Sequence, residues 1–308
     1  MTRVSVVIPT FNRAAMLRDL LETLCVQDVP FDAFEVVVVD DGSTDATASV
    51  VEDFGGRLPL RSVHQENAGL NAARNTGAEA STGEILAFLD DDVLLPPDFV
   101  REVGAAWTRF PSAAAVAGRV LLRFESPPPA WLHERFHSYL SAFDRGPEPG
   151  PLPEPCFPVG ANAIVTRVAW KRVGGFASDL DRRGASLISS GDKEFFLRLR
   201  QAGAEIVWWP DAWVFHRVHP ERLSRRWFRR RAYAQGLGDG LMERGSGRSG
   251  RLRREGRELV RLGRAAPILA RNLATGRGTL SADLWLRFCL GRLRGLTHPH
   301  ASPARRLS

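Results

Sequence analysis

Four consecutive valines, Val36 to Val39, sit inside the run FEVVVVD, Phe34–Asp40. Side chains alternate across a strand, so this run presents apolar groups to both faces. Such a strand must be covered on both sides, as in a parallel sheet flanked by helices. The neighbouring segments agree. VSVVIP (4–9) reads as a strand, and Leu17, Leu20, Leu21 and Leu24 then fall on one helical face within 14–27. After the valine strand, DGSTDATASVVEDF opens a helix with Ser43 or Thr44 as its expected N-cap. A weaker strand over 60–65, a helix over 70–80 and the strand EILAFLD (84–90) follow. Strand and helix alternating in this way predict an α/β layer with a mainly parallel sheet.

The 308 residues suffice for one large domain, or a domain with a helical annex. Apolar residues make up 44% and charged residues 25%, ordinary for a globular chain. Charge is unevenly spread. Residues 221–308 hold 21 Arg, no Lys and 6 acids, about +15, which leaves about −8 on the first 220 of a chain whose total is +7. A basic tail on an acidic body suggests an anionic partner: a membrane surface, nucleic acid or an acidic substrate. A solvated helical face, or packing of the tail on the body, is the blander alternative. In 221–236 Arg interleaves with Trp227, Phe228 and Tyr233, so a helix there would have a cationic and an aromatic side. No nucleic-acid reading motif accompanies it. A glycine-rich linker, RGSGRSG (244–250), interrupts the tail.

Nine of the 20 prolines lie in 125–158, where only AWLHERFHSYLSAF looks helical. Loops this long usually serve as lids or binding loops, or lack order. Beyond them come a strand and short helix in VGANAIVTRVAWKRVGGF, a helix in SGDKEFFLRLRQAG closed by Gly203, and one or two strands in EIVWWPDAWVFHRV. Cys25, Cys156 and Cys289 are far apart and form no CxxC pair, so neither a disulfide framework nor a zinc site is indicated. No signal core and no run of 18 apolar residues is present, so a cytoplasmic chain is expected. P-loop, HExxH and GxSxG patterns are missing, and GLGDG (236–240) follows no strand.

Two acid clusters carry the chemistry. Asp40 and Asp41 end the valine strand, and Asp90, Asp91 and Asp92 end the strand of EILAFLD. Ligands of an open parallel sheet sit beyond the carboxyl ends of its strands. Acids crowded there repel one another unless something positive lies between them. Hard oxygen ligands suit Mg²⁺ or Mn²⁺, which commonly hold one or two carboxylates and the phosphates of a nucleotide. An Asx turn for Asp40 and a solvated turn for the three aspartates are the plainer readings. The two clusters together favour a nucleotide–metal site.

VSVVIPTFNR, VVVVDDGSTD, NAGLNAARNTGAEASTGEILAFLDDDVLLPPDF and GDKEFFLRLRQAG resemble, in order, the motifs of glycosyltransferase family 2. The resemblance covers roughly 4–213 and leaves the Pro-rich segment unmatched. It implies the GT-A fold: a nucleotide-sugar-binding half (1–105), an acceptor-binding half (106–220) and, beyond them here, a basic helical region (221–308). It implies an inverting transferase that takes a nucleoside-diphosphate sugar, most often a UDP-sugar, and glycosylates a glycan, lipid-linked or small-molecule acceptor. Peripheral attachment to the inner face of a membrane would fit a lipid-linked acceptor, and nucleic acid is not expected as a partner. Carried over by position, Pro9, Thr10 and Phe11 match the turn that contacts base and ribose. Asp40 matches the acid that reads the base, with Asp41 beside it, and Arg74 matches a basic position facing the nucleotide. Asp90 and Asp92 resemble the outer acids of the DXD motif. Asp92 is preferred as the metal ligand, Asp91 is its rival, and Asp90 and His216 are further candidates. Asp192 takes the place of the general base. The Glu that usually precedes it is Gly191 here, which keeps Glu194 as an alternative. Gly160 and Asn162 match the segment bordering sugar and acceptor. Outside the resemblance, Trp131 in the Pro-rich loop is the best candidate acceptor contact, since an aromatic face suits the C–H surface of a sugar.

Rival readings leave recognisable marks. A sugar-phosphate nucleotidyltransferase needs a glycine-rich basic loop after the first strand, and PTFNRAAML offers only Arg13. A non-catalytic membrane-associated protein with a decayed transferase fold would have lost acids, yet Asp40, Asp90, Asp92 and Asp192 are all present. The processive-synthase pattern Gln-x-x-Arg-Trp fails, because Leu223 stands three residues before Arg226. Transfer of one sugar, or few, per acceptor is therefore expected.

Overall fold

The computed structural model describes residues 3–178, 190–243, 260, 263, 267 and 280–297. They fall into two compact units. The first holds the described residues of 1–127, 131–178 and 192–218; the second holds those of 128–130, 179–191 and 219–308.

The first unit is built on one sheet. Strands β1 (Val4–Thr10), β2 (Phe34–Asp40), β3 (Leu60–His64) and β4 (Ile85–Leu89) run parallel in the order β3-β2-β1-β4. Helices α1 (Ala14–Leu24), α2 (Thr47–Phe54) and α3 (Leu70–Ala80) connect them. Each residue of β1 and β2 is buried, as the valine run requires. The sheet continues through β5 (Val93–Leu94), β6 (Ala115–Phe124), β7 (Gly150–Pro151), β8 (Asn162–Thr166) and β9 (Ile206–Val218). Here β8 runs antiparallel to both β4 and β6, while β6 and β9 are parallel, so the full sheet is mixed. Helices α4 (Phe99–Arg109), α5 (Arg167–Val173) and α6 (Gly191–Gln201) complete the set around it.

One apolar cluster joins α1, α2 and α4 to one face of the sheet, with Leu17, Leu20, Leu21, Phe54, Phe99 and Val103 buried. A second gathers Phe88, Trp170, Phe176, Phe195, Phe196 and Leu199. Fully burying one such side chain stabilises the fold by about 1.5–3 kcal/mol. Phe176 stacks on Phe195 at 4.3 Å between ring centres and meets Phe88 edge-on at 5.0 Å. This aromatic block lies beneath Arg74, whose guanidinium stands 5.4 Å from the Phe176 ring. Gly77, one turn beyond Arg74, has no room for a Cβ because Val7 occupies the space, so α3 lies tight against β1.

Several boundaries differ from the sequence reading. Helix α2 starts at Thr47 after Ala46, and Asp45, not Ser43 or Thr44, accepts the Thr47 N–H, at 3.0 Å; the Ser43 N–H goes to Asp40. AWLHERFHSYLSAF forms a 3-10 segment, Glu134–Leu140, rather than an α-helix. EIVWWPDAWVFHRV is one 13-residue strand. The Pro-rich stretch is built in: β7 pairs with β9, Val120 bridges Phe143, and Trp208 Nε1 donates to the Gly146 carbonyl at 3.0 Å. The linker 244–250 lies outside the described residues.

In the second unit, α7 (Arg225–Glu243) packs on α8 (Leu280–Thr297). Gly236 and Gly240 face the α8 backbone, and Gly291 and Gly295 face that of α7, so main chain meets main chain. Arg229 and Arg287 both pair with Asp283, and Arg292 holds Glu243 through two bonds of 2.7 and 2.8 Å. Phe228 is buried, so it is withdrawn from the aromatic side that the sequence predicted; Tyr233 is exposed. Among the described residues no helix is long and apolar enough to cross a membrane.

Candidate active site

Parallel pairing sets Thr10 level with Asp40, and Asp40 level with His64, at the carboxyl edge of the sheet. Asp90–Asp92 follow β4 directly at the same edge. Two pairings bring later chain to them: Leu89 faces Asn162 of β8, and Val93 faces His216 of β9.

Arg74 is the hub of one network. It is 1% exposed. Its Nη1 donates to Asp192 Oδ1 at 2.5 Å, and its Nη2 donates to Asp90 Oδ1 at 2.9 Å and to the Gly160 carbonyl at 3.1 Å. The Gly160 N–H donates to the other oxygen of Asp192 at 3.0 Å. A Cβ at Gly160 would overlap both Asp192 Oδ2 and Arg74 Nη2, so any larger residue there must push these two side chains aside. One guanidinium thus fastens the first acid of the triple cluster to the acid at the start of α6, 118 residues from Arg74 in sequence.

A second network surrounds the other two acids. Asp91 and Asp92 are 5% and 2% exposed. The Thr10 hydroxyl donates to Asp91 Oδ2 at 2.9 Å. Arg13 Nη1 donates to Asp91 Oδ1 at 2.8 Å and to Asp92 Oδ2 at 3.1 Å. Burial pushes the Asp91 carboxyl up to about 6, against the pull of Arg13. The Arg13 guanidinium is raised further above its already high value, chiefly by Asp91. The remaining oxygen of Asp92 stands 3.4 Å from Nε2 of His216, itself 2% exposed.

Other expected site residues have different surroundings. Asp40 accepts from the Ser43 N–H at 2.8 Å and lies 3.2 Å from Nδ1 of His64. Asp41 accepts from Gln65 and from the Ala68 and Gly69 N–H groups, which commits both its oxygens to the loop ahead of α3. Pro9 and Thr10 belong to β1, so the turn is shifted to Phe11–Arg13, with Phe11 41% exposed. Glu194 has both oxygens bound by Arg198, which also holds the Val173 and Gly175 carbonyls. The Asn162 amide is buried and donates to the carbonyls of Arg119 and Ala212. Trp131 is half-buried in the turn before the 3-10 segment. Arg13 is the residue that sequence reasoning passed over: its acid partners lie 78 and 79 positions away, and a lone arginine in a turn carries no pattern.

Among the described residues no three His, Cys, Asp or Glu side chains form a ready-made metal cage. A buried carboxylate beside a buried imidazole, Asp92 with His216, is nonetheless a donor pair that Mn²⁺ or Mg²⁺ accepts when phosphate oxygens complete the shell. The residues therefore fit such an ion.

The family model "Glycosyl transferase family 2" matches residues 5–173. Succinoglycan biosynthesis protein ExoM of Rhizobium meliloti is 31% identical over 237 residues, 75% of this chain and 72% of that protein. Validoxylamine A glucosyltransferase of Streptomyces hygroscopicus is 43% identical over 141 residues, 45% of this chain; the aligned part is 32% of that longer relative. Among solved structures, the mannosyltransferase PcManGT of Pyrobaculum calidifontis, in complex with GDP-Man and Mn²⁺, aligns at a TM-score of 0.65 and 22% identity, over 97% of this chain and 88% of that one. At that identity the likeness is one of fold, and the fold is GT-A.

Proposed function

The chain belongs to glycosyl transferase family 2, and from that footing we propose that it moves a sugar from a nucleoside-diphosphate donor to an acceptor hydroxyl with inversion. The observation that carries this reading is the Arg74 bridge. It ties an acid of the donor edge to the carboxylate best placed to take a proton.

In this reading Asp40 faces the nucleotide base and the Phe11–Arg13 turn borders it. Asp90 faces the ribose. Asp92 and His216 would hold Mn²⁺ or Mg²⁺, which supplies positive charge to the departing diphosphate. The chain's own residues do the rest. Asp192, fixed at two points by Arg74 and the Gly160 N–H, accepts the proton of the acceptor hydroxyl. That oxygen bonds to the anomeric carbon from the face opposite the diphosphate. The carbon–oxygen bond to the diphosphate breaks, and the nucleoside diphosphate leaves with the electron pair. One displacement inverts the centre. Glu194 braces α6 against the end of α5 through Arg198, so the proton is assigned to Asp192 alone. Asp41 holds the loop ahead of α3 and so positions Arg74.

We assign 1–105 to the donor, 106–220 to the acceptor and 221–308 to a basic region. The acceptor hydroxyl belongs to a glycan, lipid-linked or small-molecule compound, and the succinoglycan relative favours a role in polysaccharide biosynthesis. Arginines of α7 that face solvent, among them Arg225, Arg226 and Arg230, suit an anionic membrane surface. Flotation with anionic but not neutral liposomes is the expected result, and no flotation with either removes that part.

Thermal-shift measurement with UDP-, GDP- and dTDP-sugars, with and without Mn²⁺, tests the main reading. One donor should raise the melting temperature, and only with the ion. No shift with any donor would refute it.

A further inference from the structure

The reading above brings a divalent cation to Asp92 together with the donor's diphosphate, and this inference rests on it. Two adjacent carboxylates that are buried need a counter-charge, because desolvating each costs several kcal/mol. The chain supplies one itself. A single nitrogen of Arg13 lies 2.8 Å from Asp91 and 3.1 Å from Asp92.

Arg13 is not loosely placed. Its loop is stitched to the 43–45 loop on both sides. The Asn12 N–H donates to Ser43 Oγ at 2.9 Å, the Thr44 N–H donates to Asn12 Oδ1 at 2.7 Å, and the Ala14 N–H donates to Asp45 at 3.0 Å. Asn12 adopts a left-handed conformation, φ 54°, to make that turn. The arginine side chain is still 33% exposed, so the guanidinium is within reach of an anion arriving from solvent.

We propose that Arg13 is a resident counter-cation: it offsets part of the charge of the Asp91–Asp92 pair until the donor binds, so that the divalent ion enters with the diphosphate and not ahead of it. A fixed positive charge beside Asp92 opposes a second cation there. Near a protein surface, like charges a few ångströms apart repel strongly enough to change affinity by tenfold or more. An incoming diphosphate reverses the balance. It gives the guanidinium a new anionic partner and brings its own oxygens to the metal. Arg13 thereby makes metal affinity depend on donor.

Mn²⁺ binding, followed by the loss of the free-ion EPR signal, tests this in wild type, R13Q and R13K, each alone and with UDP, GDP or dTDP. Wild type should bind Mn²⁺ weakly alone and at least tenfold more tightly with one of the nucleoside diphosphates, beyond what the nucleotide binds without protein. R13Q keeps an N–H donor but loses the charge, and should bind Mn²⁺ alone about tenfold more tightly than wild type. R13K should match wild type. R13Q binding Mn²⁺ no better than wild type overturns the inference and leaves the transferase reading intact. Wild type failing to take up Mn²⁺ with every nucleoside diphosphate overturns that reading itself. If R13Q misfolds, its refolding yield should rise with Mn²⁺ and not with Na⁺ at equal ionic strength; equal yields overturn the inference.

Discussion

Arg74→Lys separates charge from geometry at the centre of the site. The guanidinium makes four bonds with two nitrogens: to Asp192 at 2.5 Å, to Asp90 at 2.9 Å, to the Gly160 carbonyl at 3.1 Å and to Asn71 Oδ1 at 3.3 Å. A lysine keeps the positive charge, yet its one ammonium cannot span two carboxylates held apart by a planar fork. One charge-assisted hydrogen bond is lost, a cost of about 1.5–3 kcal/mol. The side chains of Asp90 and Asp192 are 18% and 22% exposed, so water replaces part of it and the lower end applies. About 1.5–2 kcal/mol in a unit of this size lowers the melting temperature by roughly 3–8 °C. Asp192, left with the Gly160 N–H as its second anchor or none, should lose about tenfold in turnover. Arg74→Met goes further. It leaves both acids without their shared cation, and costs about 3–5 kcal/mol. Circular-dichroism melts and initial-rate assays on the two variants give both numbers. If Arg74→Lys melts where wild type does and turns over at the wild-type rate, the bridge does not couple the two acids.

Two further outcomes follow from the same geometry. Gly160→Ala puts a methyl group where Asp192 Oδ2 and Arg74 Nη2 now lie. Displacing Asp192 from its N–H should cut turnover by about 10–100-fold, with donor affinity nearly unchanged; an active Gly160→Ala enzyme would mean that Asp192 works from another position. Glu35, on β2, accepts from Ser5, from Thr82 twice and from Gly83. Burial pushes its carboxyl up, but those hydrogen bonds together outweigh burial and hold it below the ordinary value. The folded state therefore binds that proton less well than the unfolded chain. The stability Glu35 contributes is present above about pH 4.3 and is lost as pH falls through its lowered folded value. Urea midpoints from pH 6 down to about 3 should fall less steeply for Glu35→Gln than for wild type; parallel curves would contradict this.

Much of the first unit is legible in the sequence because local periodicity and burial agree there. The valine strand occupies Phe34–Asp40 as read, and α3 occupies Leu70–Ala80 as read. Strand β6 escaped notice, since its burial alternates only beyond Gly118 and its pairing with β9 is set by distant chain. The Ser43 cap failed because its hydroxyl accepts from the Asn12 N–H of a distant loop, while Asp45 accepts the Thr47 N–H at the start of the helix. Acid clusters announce themselves by composition, but what neutralises them does not. Arg13 and Arg74 are two among many arginines until the sheet closes and sets each between carboxylates. The antiparallel pairing of β5 with β9 likewise brings His216 to Asp92 across more than a hundred residues, which no local pattern encodes.

Donor binding and turnover measured side by side in Asp192→Asn test the account most directly. The amide keeps the shape of the carboxylate and loses its basicity. Calorimetric affinity for the nucleotide-sugar should stay at the wild-type level while turnover falls by about 10²–10⁴-fold, the scale of a positioned general base. An Asp192→Asn enzyme that turns over at the wild-type rate would contradict the central claim.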